Sequence, residues 1–295
     1  MRYRRTIGDY LFDSANYFIL IVLVLITLYP LYYILVASLS SPAAIAKHGV
    51  MMFWPEDVTM KYYKAVFDNP MIAVGYRNTI FLVVVGTAIN MLLTIFAAYA
   101  LSRKWLMGRN IFMFVIVITM FFGGGLIPSY LLVRQLGLFN TIWALIIPGA
   151  VSSWNVIMMR TYFIGIPDSL EESARMDGAN DFHILFRIIL PVSMPIIAVM
   201  ILFYAVGHWN AWFSASIYLK DKELYPLQLV LRSILINNSL REMGDTGYTS
   251  SGSAREITKG LKYATVIAST LPILCIYPFV QKYFIKGIMI GSIKG

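Results

Sequence analysis

Six long apolar runs, separated by polar segments, dominate the hydrophobic pattern of the chain. An α-helix needs about 20 mainly apolar residues to cross a hydrocarbon core of roughly 30 Å, and each run reaches that length. The runs are 17–39, 71–101, 111–133, 138–159, 194–218 and 263–285. Backbone polar groups inside a bilayer must be paired within the segment, so each run is predicted to be helical. The pattern predicts an all-α polytopic membrane protein with six transmembrane helices.

The polar segments divide the chain around these spans. The predicted permeation domain covers 17–286, with a cytoplasmic segment at 1–16 and a cytoplasmic tail at 287–295. A charged segment at 167–195 lies between the fourth and fifth apolar runs, and is predicted to form a helix-turn-helix at the membrane surface. The other long polar segments, 40–70 and 219–262, are predicted to face the opposite side of the membrane.

Composition supports a membrane protein. Hydrophobic residues make up 59% of the chain and charged residues only 13%, against about half and a quarter in an ordinary soluble domain. The net charge of +9 could indicate a polyanionic ligand such as nucleic acid. In a membrane protein, however, excess Lys and Arg mostly occupy cytoplasmic loops, so no nucleic-acid partner is predicted. A single cysteine, Cys275, and the absence of metal-type Cys/His spacing predict no disulfide and no metal site.

Short-loop charges predict the orientation. Positive residues near span ends mark the cytoplasmic side. The N-terminus carries Arg2, Arg4 and Arg5, and the loop 102–110 carries three further cations, whereas the loop 134–137 carries one. Both termini, the loop 102–110 and the loop 167–195 are therefore predicted to be cytoplasmic.

The cytoplasmic loop 167–195 has specific internal spacing. A helix is expected to start after Pro167, with Asp168 or Ser169 capping its first turn. Gly178 can adopt a positive φ and end that helix. A second, apolar helix is expected over 181–190, and Pro191 and Pro195 are expected to bend the chain into the fifth span. The residues that carry the pattern are Glu172, Ser173, Ala174, Asp177, Gly178, Ile188, Leu190 and Pro191.

This spacing resembles the "EAA" coupling loop in membrane subunits of binding-protein-dependent (type I) ABC importers, with Ser173 where that family usually has Ala. The resemblance extends over nearly the whole chain, and the Tyr29-Pro30 and 282–287 segments are similar to the carbohydrate branch. Within that branch, the run 121–128 resembles permeases for oligosaccharides, polysaccharides and lipo-oligosaccharides.

The resemblance implies a set of partners. These are a homologous sister permease in a heterodimer, two ATPase subunits at the coupling loop, an extracytoplasmic solute-binding protein, membrane lipid and an oligosaccharide substrate. It places the chain in the bacterial cytoplasmic membrane. No Gly-x-x-x-x-Gly-Lys-Ser/Thr segment occurs in the sequence, so ATP and Mg²⁺ are expected on the ATPase partners, and neither cofactor nor catalytic residues are expected here.

Aromatic and amide residues inside two spans are candidates for the sugar path. Tryptophan faces pack on sugar rings, and asparagine both donates and accepts hydrogen bonds. The alternative is that these polar residues join helices to one another. The candidates are Trp209, Asn210 and Trp212 in the fifth span, and Trp154 and Asn155 in the fourth. The adjacent His208 is expected to bond between helices rather than bind substrate.

Three glycines followed by a proline interrupt the third span. Gly123, Gly124, Gly125 and Pro128 favour either an unwound hinge for alternating access or close helix packing with a kink. In the segment 219–262, residues 224–236 are apolar enough for a helix or a re-entrant piece, and the Gly/Ser-rich remainder is expected to be mobile. The resemblance makes this segment a docking loop for the binding protein, and a tolerated surface insertion is the alternative.

Two other classes of function fit the sequence less well. A membrane enzyme requires a catalytic set within the spans, and no such cluster is present. An ion-coupled secondary transporter is expected to hold carboxylates at mid-membrane, and none of the spans has a central Asp or Glu. An ABC permease for a peptide or amino acid is the nearer alternative.

Overall fold

The computed structural model of the protein describes residues 6–244 and 260–275, with side chains described over 6–236 and 260–275. The described residues form helices, turns and irregular segments. Contacts divide the chain into two units, Met1–Asn69 with Ser233–Leu271, and Pro70–Arg232 with Pro272–Gly295.

The first unit is built on a long apolar helix, α1 (Ile7–Leu39). The helix begins ten residues before the predicted span because Thr6 and Asp9 form a capping box at its start. Two short helices follow, α2 (Pro42–His48) and α3 (Lys61–Phe67). Near its other end α1 holds the intervening loop: the Tyr29 and Tyr32 hydroxyls donate to the Val50 and Phe53 carbonyls at 2.6 and 2.5 Å.

The second unit is built around α4 (Pro70–Ser102), which is 33 residues long. It continues through a π-helical turn at Leu82–Gly86 and then runs without interruption from Thr87 to Ser102. Next come α5 (Arg109–Phe121), α6 (Leu126–Gln135) and α7 (Ser153–Ile164). The charged segment forms α8 (Asp168–Met176) and α9 (Asp181–Val192). The remaining helices of this unit are α10 (Met194–Trp209) and α11 (Trp212–Tyr218). Helix α12 (Leu227–Gly244) begins in this unit and continues into the first, and most of α13 (Gly260–Cys275) belongs to the first unit.

One apolar core joins five of these helices. Met91, Phe163, Ala174, Ile184 and Met200, which come from α4, α7, α8, α9 and α10 respectively, all belong to it. Each is almost inaccessible to solvent. Helices α8 and α9, which form the charged segment, are therefore packed against α4, α7 and α10.

Among the described residues, α1 and α4 are the two helices long and apolar enough to cross a membrane. Two bent pairs add up to two more spans: α5 with α6, bent by 115°, and α9 with α10, bent by 85°. The all-helical prediction is confirmed. Of the predicted sixth span, residues 276–285 lie outside the described residues, and the described part falls within α13.

The predicted fourth span, 138–159, is wrong as a continuous helix. A short 3₁₀ turn covers Ile142–Leu145, and α7 begins only at Ser153. Pro148 lacks a backbone N–H, and the following Gly149 and Ala150 carbonyls accept hydrogen bonds from the Asn90 side chain on α4. A side-chain amide therefore replaces helical pairing at this point.

The predicted fifth span, 194–218, is interrupted. Helix α10 ends at Trp209, and α11 begins at Trp212. Trp209 and Trp212, which a continuous helix would place on one face, therefore belong to different helices. The expected bend before α10 is present and lies at Ser193, between α9 and α10.

Segment 219–262 begins with an anchored stretch. Asn78 on α4 donates to the Glu223 and Tyr225 carbonyls, and the Asn140 side chain accepts from the Lys220 and Asp221 amides. The helix expected over 224–236 is present as α12. The Gly/Ser-rich residues 245–259 lie outside the described residues.

The packing of α4 against α10 predicts a sharp difference between two glycine substitutions. A Cβ on Gly86 would lie 2.5 Å from His208 Nε2, whereas a Cβ on Gly207 would meet nothing within 4 Å. We expect Gly86→Ala to lower the stability of the detergent-solubilised protein by about 1–3 kcal/mol through overpacking. The measurement is the thermal unfolding midpoint. Gly207→Ala is the matched control and should unfold with the wild type, and equal midpoints for the two variants would contradict the packing.

Candidate coupling site and membrane cavity

Helix α8 presents two adjacent acidic residues to different surroundings. Glu171 is buried and forms an ion pair with Arg103, the residue that follows α4. Glu172 is exposed and makes no ion pair among the described residues. Successive residues on an α-helix are about 100° apart, so a buried residue and its neighbour face different directions. The exposed Glu172 is thus held by a helix whose other side is fixed.

The N-terminus of α8 differs from the prediction. Pro167 occupies the capping position, and no side chain caps the first turn, so the expected capping by Asp168 or Ser169 is wrong. Asp168 instead pairs with Lys104 at 2.5 Å on the surface. The hydrogen bond from Lys104 is the main reason that the pKa of the Asp168 carboxyl lies below its usual value. This carboxylate therefore stays charged at neutral pH, and the pair is lost only as pH falls through the lowered pKa.

The C-terminus of α8 is closed by a Schellman motif. Gly178 has a φ of 81°, as its predicted role requires. The Ala179 amide donates to the Ala174 carbonyl at 2.9 Å, and the Gly178 amide donates to the Arg175 carbonyl at 3.0 Å. An L-residue with a side chain resists this conformation, so glycine fixes the turn between the two helices.

Helix α9 is fastened to that turn. The Asn180 side chain accepts from the His183 amide at 2.8 Å, and Arg175 pairs with Asp181 at 2.5 Å. Ile184, Leu185 and Ile189 are buried in the core shared with α4 and α10. Of the pattern residues, Ala174 is buried, Ile188 and Leu190 are half-buried, and Ser173, Asp177 and Pro191 are exposed.

A cavity of about 210 Å³ lies where α8 meets the loop after α4. It is lined by three cationic and three acidic side chains together with Trp105 and Ser102. Two of its three cations are partnered within it, Arg103 with Glu171 and Lys104 with Asp168. Glu172 also lines the cavity and makes no ion pair among the described residues.

A second cavity, of about 370 Å³, lies beside α10 and α11. Its polar lining comes from Asn90, Tyr204, His208, Asn210 and Ser214. Phe203, Phe213 and Leu145 contribute apolar surface, and the remaining lining residues are small. A mixed lining of this kind is typical of sites that bind small organic molecules.

Asn90 organises the wall of this cavity. Its amide nitrogen donates to the Gly149 and Ala150 carbonyls at 3.0 and 2.7 Å, so its oxygen is left to accept from His208 Nε2 at 2.6 Å. His208 thus bonds between helices, as predicted. Close by, the Tyr204 hydroxyl pairs with Thr94 at 2.7 Å and accepts from the Ser152 amide. Sequence reasoning missed Asn90, although a lone amide in an apolar run is a recognisable signal.

The predicted sugar-path residues are not brought together. Asn210 is exposed and lines the cavity. Trp209 is buried with its ring edge-on to Tyr76, and Trp212 lies beneath the Arg232 guanidinium at 3.7 Å. Neither lines the cavity. Trp154 is exposed and Asn155 is buried, and both are also outside the lining.

The glycine-rich interruption breaks the chain between α5 and α6. Gly125 has a φ of 84°, and a Cβ on Gly123 or Gly125 would meet nothing within 4 Å. A Cβ on Gly124 would approach only Pro128, at 3.8 Å. Among the described residues these glycines do not serve close packing, so their backbone freedom is what the 115° bend uses.

Comparisons with known proteins agree with this architecture. The family described as "Binding-protein-dependent transport system inner membrane component" matches residues 2–290. The chain is 40% identical over 285 residues to the "Polygalacturonan/rhamnogalacturonan transport system permease protein YtcP" of Bacillus subtilis, covering 97% of this chain and 99% of that protein. It is also 40% identical to "Protein LplC" of the same organism, covering 96% and 95%.

A solved structure is similar over the same length. A chain of a bacterial ABC transporter "involved in the import of the acidic polysaccharide alginate" superimposes with a TM-score of 0.85 and 34% identity, covering 96% of this chain and 99% of that chain. Permeases of this family are transport subunits rather than enzymes, carry no cofactor and rely on ATP used by partner ATPases. They work with a binding protein and a partner permease in the bacterial inner membrane. The resemblance found in the coupling-loop sequence is confirmed: the chain belongs to the binding-protein-dependent transport system inner membrane component family.

Proposed function

We propose that this chain is a permease subunit of an ABC importer that moves an oligosaccharide inward, delivered by an extracytoplasmic binding protein and driven by ATP hydrolysis in two partner ATPases. The observation that carries the proposal is helix α8, closed at Gly178 and anchored through Glu171, which presents Glu172 to a partner. An exposed acid on a rigid, packed helix suits docking onto another subunit.

The proposed topology has six spans, with both termini and the loops 102–110 and 167–195 in the cytoplasm. Helices α1, α4 and α10 and the bent pair of α5 with α6 supply four of these spans, and α7 and α13 are the candidates for the other two. A homologous sister permease would cover the exposed apolar side chains of α5 and α6, such as Phe114 and Leu131. Segments 40–70 and 219–262 then face the binding protein.

The substrate class rests on the relatives and on the cavity. The similar proteins are named for polygalacturonan/rhamnogalacturonan transport and for alginate import, both acidic polysaccharides. The cavity beside α10 offers hydroxyl and amide groups next to the Phe203 and Phe213 rings. Sugars present hydroxyls at their edges and apolar C–H faces, which this mixture can satisfy. Asn210 is the predicted sugar-path residue that remains in the proposed site, and Ser214 joins it.

A peptide or amino-acid permease is the alternative within the same mechanism, and an ion-coupled transporter lies outside it. The helices that line the cavity, α4, α10 and α11, contain no Asp or Glu and therefore lack the usual ion sites. Uptake by the reconstituted complex separates the three functions. A requirement for ATP excludes the ion-coupled transporter. Competition by an oligogalacturonide but not by a peptide favours the oligosaccharide permease over the peptide permease.

Reversing the charge of Glu172 tests the coupling role. In Glu172→Lys, a like charge replaces a complementary one at the ATPase interface, which can cost several kcal/mol. We expect transport to be lost and ATPase association to weaken, while the permease still inserts in the membrane. The measurement is uptake by cells, together with co-purification of the ATPase.

Glu223→Lys is the matched control, because Glu223 is an exposed acid in the segment proposed to lie on the opposite face. It should leave ATPase association at the wild-type level. Normal uptake and ATPase binding in Glu172→Lys would refute the coupling role.

Two serines on α11 provide a matched test of the cavity. Ser214 lines the cavity, whereas Ser216 lies outside its lining and donates to the Phe213 carbonyl. In Ser214→Ala the sugar loses one hydrogen bond to the cavity, which contributes about 0.5–1.5 kcal/mol. We therefore expect the apparent KM for uptake to rise about two- to tenfold. Asn210→Ala should act in the same direction.

Ser216→Ala should transport normally, and complex assembly should be equal in all three variants. If Ser214→Ala and Asn210→Ala also keep the wild-type KM, the cavity is not on the sugar path.

Cysteine labelling tests the topology in a Cys275→Ser background. Met107 and Lys222 are exposed, in the loop 102–110 and at the start of segment 219–262 respectively. Lys222→Cys should react with an impermeant maleimide in intact cells. Met107→Cys should react only after permeabilisation. The reverse pattern would place α8 outside the cell and exclude its contact with an ATPase.

A further inference from the structure

Two oppositely charged residues are buried where α4 ends. The Arg103 and Glu171 side chains are 7% and 11% exposed and form an ion pair. The Arg103 guanidinium also lies 4.6 Å from the centre of the Tyr99 ring on α4. Burial lowers the pKa of this guanidinium, which nevertheless stays protonated because arginine ionises far above neutral pH. Removing either partner would leave an uncompensated buried charge.

The pair connects α8 to α4 directly. Ala174 of α8 also packs in the shared apolar core. Along the chain, α8 is reached from α7 through the non-helical residues 165–167, and it leads to α10 through the Gly178 turn, a π-helical stretch at Leu185–Ile189 and the 85° bend before α10. Each of these irregular points can absorb a displacement. The segment Thr87–Ser102, by contrast, is an uninterrupted α-helix.

That uninterrupted helix reaches the cavity. Asn90 lies 13 residues before Arg103, about 20 Å along a helix with a rise of 1.5 Å per residue. Asn90 bonds His208 on α10 and the carbonyls of Gly149 and Ala150 in the segment that leads into α7. Any shift of α4 along its axis therefore moves a side chain that holds two walls of the cavity.

We propose that the Arg103–Glu171 ion pair makes α8 and α4 move as one body, so that a displacement of α8 by the ATPase reaches the cavity through Asn90. The inference rests on the proposed function, since it needs an ATPase that moves α8. Arg103 and Glu171 are positioning residues in this scheme, and Glu172 remains the residue that meets the ATPase.

The test compares uptake per ATP hydrolysed in purified complex reconstituted into liposomes with binding protein and substrate. Glu171→Gln keeps the side-chain shape and removes the charge. We expect it to keep assembly and basal ATP hydrolysis but to lose about tenfold in uptake per ATP, because a buried charge pair is broken. Arg103→Met should act in the same way.

Rescue separates positioning from a general loss of stability. The double variant Arg103→Glu with Glu171→Arg restores the pair with reversed charges, and should recover uptake per ATP above either single reversal. The neighbouring exposed pair supplies the control: Asp168→Asn removes the negative charge from the surface Lys104–Asp168 pair and should keep the wild-type ratio.

The outcomes are distinct. Wild-type uptake per ATP in Glu171→Gln, or an equal loss in Asp168→Asn, would overturn the proposal. Should the reversed pair fail to assemble, Glu171→Gln and Asp168→Asn still decide it. A wild-type complex that shows no ATP-dependent uptake would instead defeat the proposed function.

Discussion

The second unit depends on one constraint: backbone carbonyls that lie outside any helix still need hydrogen-bond donors. Pro148 prevents a continuous helix before α7, and the two carbonyls that follow it would be unpaired in apolar surroundings. The Asn90 amide nitrogen donates a hydrogen bond to each of these carbonyls, and the Asn90 oxygen accepts one from His208. One side chain thus joins α4, α10 and the irregular segment, and Gly149 of that segment lines the cavity.

Helix α4 carries polar contacts at two levels with an apolar surface between them. Thr94 and Asn90 bond partners near the cavity, and Arg103 bonds Glu171 at the end of the helix. Ile95 and Ala98 lie between them and pack in the shared core. Close packing makes such a core resist compression, so a helix held at both levels behaves as a rigid element. Gly86 serves the same packing by admitting the His208 ring.

The sequence was sufficient for features set by local chemistry and insufficient for those set by tertiary contacts. The positive φ at Gly178 and the helices around it follow from spacing alone, as does the break at Gly123–Gly125. Hydropathy treated 138–159 as one helix, because it does not register that Asn90 replaces helical pairing. Trp209 is a candidate for the sugar path because tryptophan rings pack on sugars. Its burial against Tyr76, however, depends on a residue distant in the sequence. The ion pair between Arg103 and Glu171 could not be predicted either, because the two residues are distant in the sequence.

The adjacent acids of α8 show how one short helix can serve two surfaces. Glu171 lies on the same face as Ala174, three residues later, and both are buried. Its charge is neutralised by Arg103, so it adds no net charge to the exposed surface. Glu172 lies about 100° away and is exposed to solvent, the surroundings in which charge complementarity governs recognition of the proposed ATPase partner. The buried acid fixes the direction in which the exposed acid points, so a single helical turn combines attachment to α4 with the recognition of the ATPase that we propose.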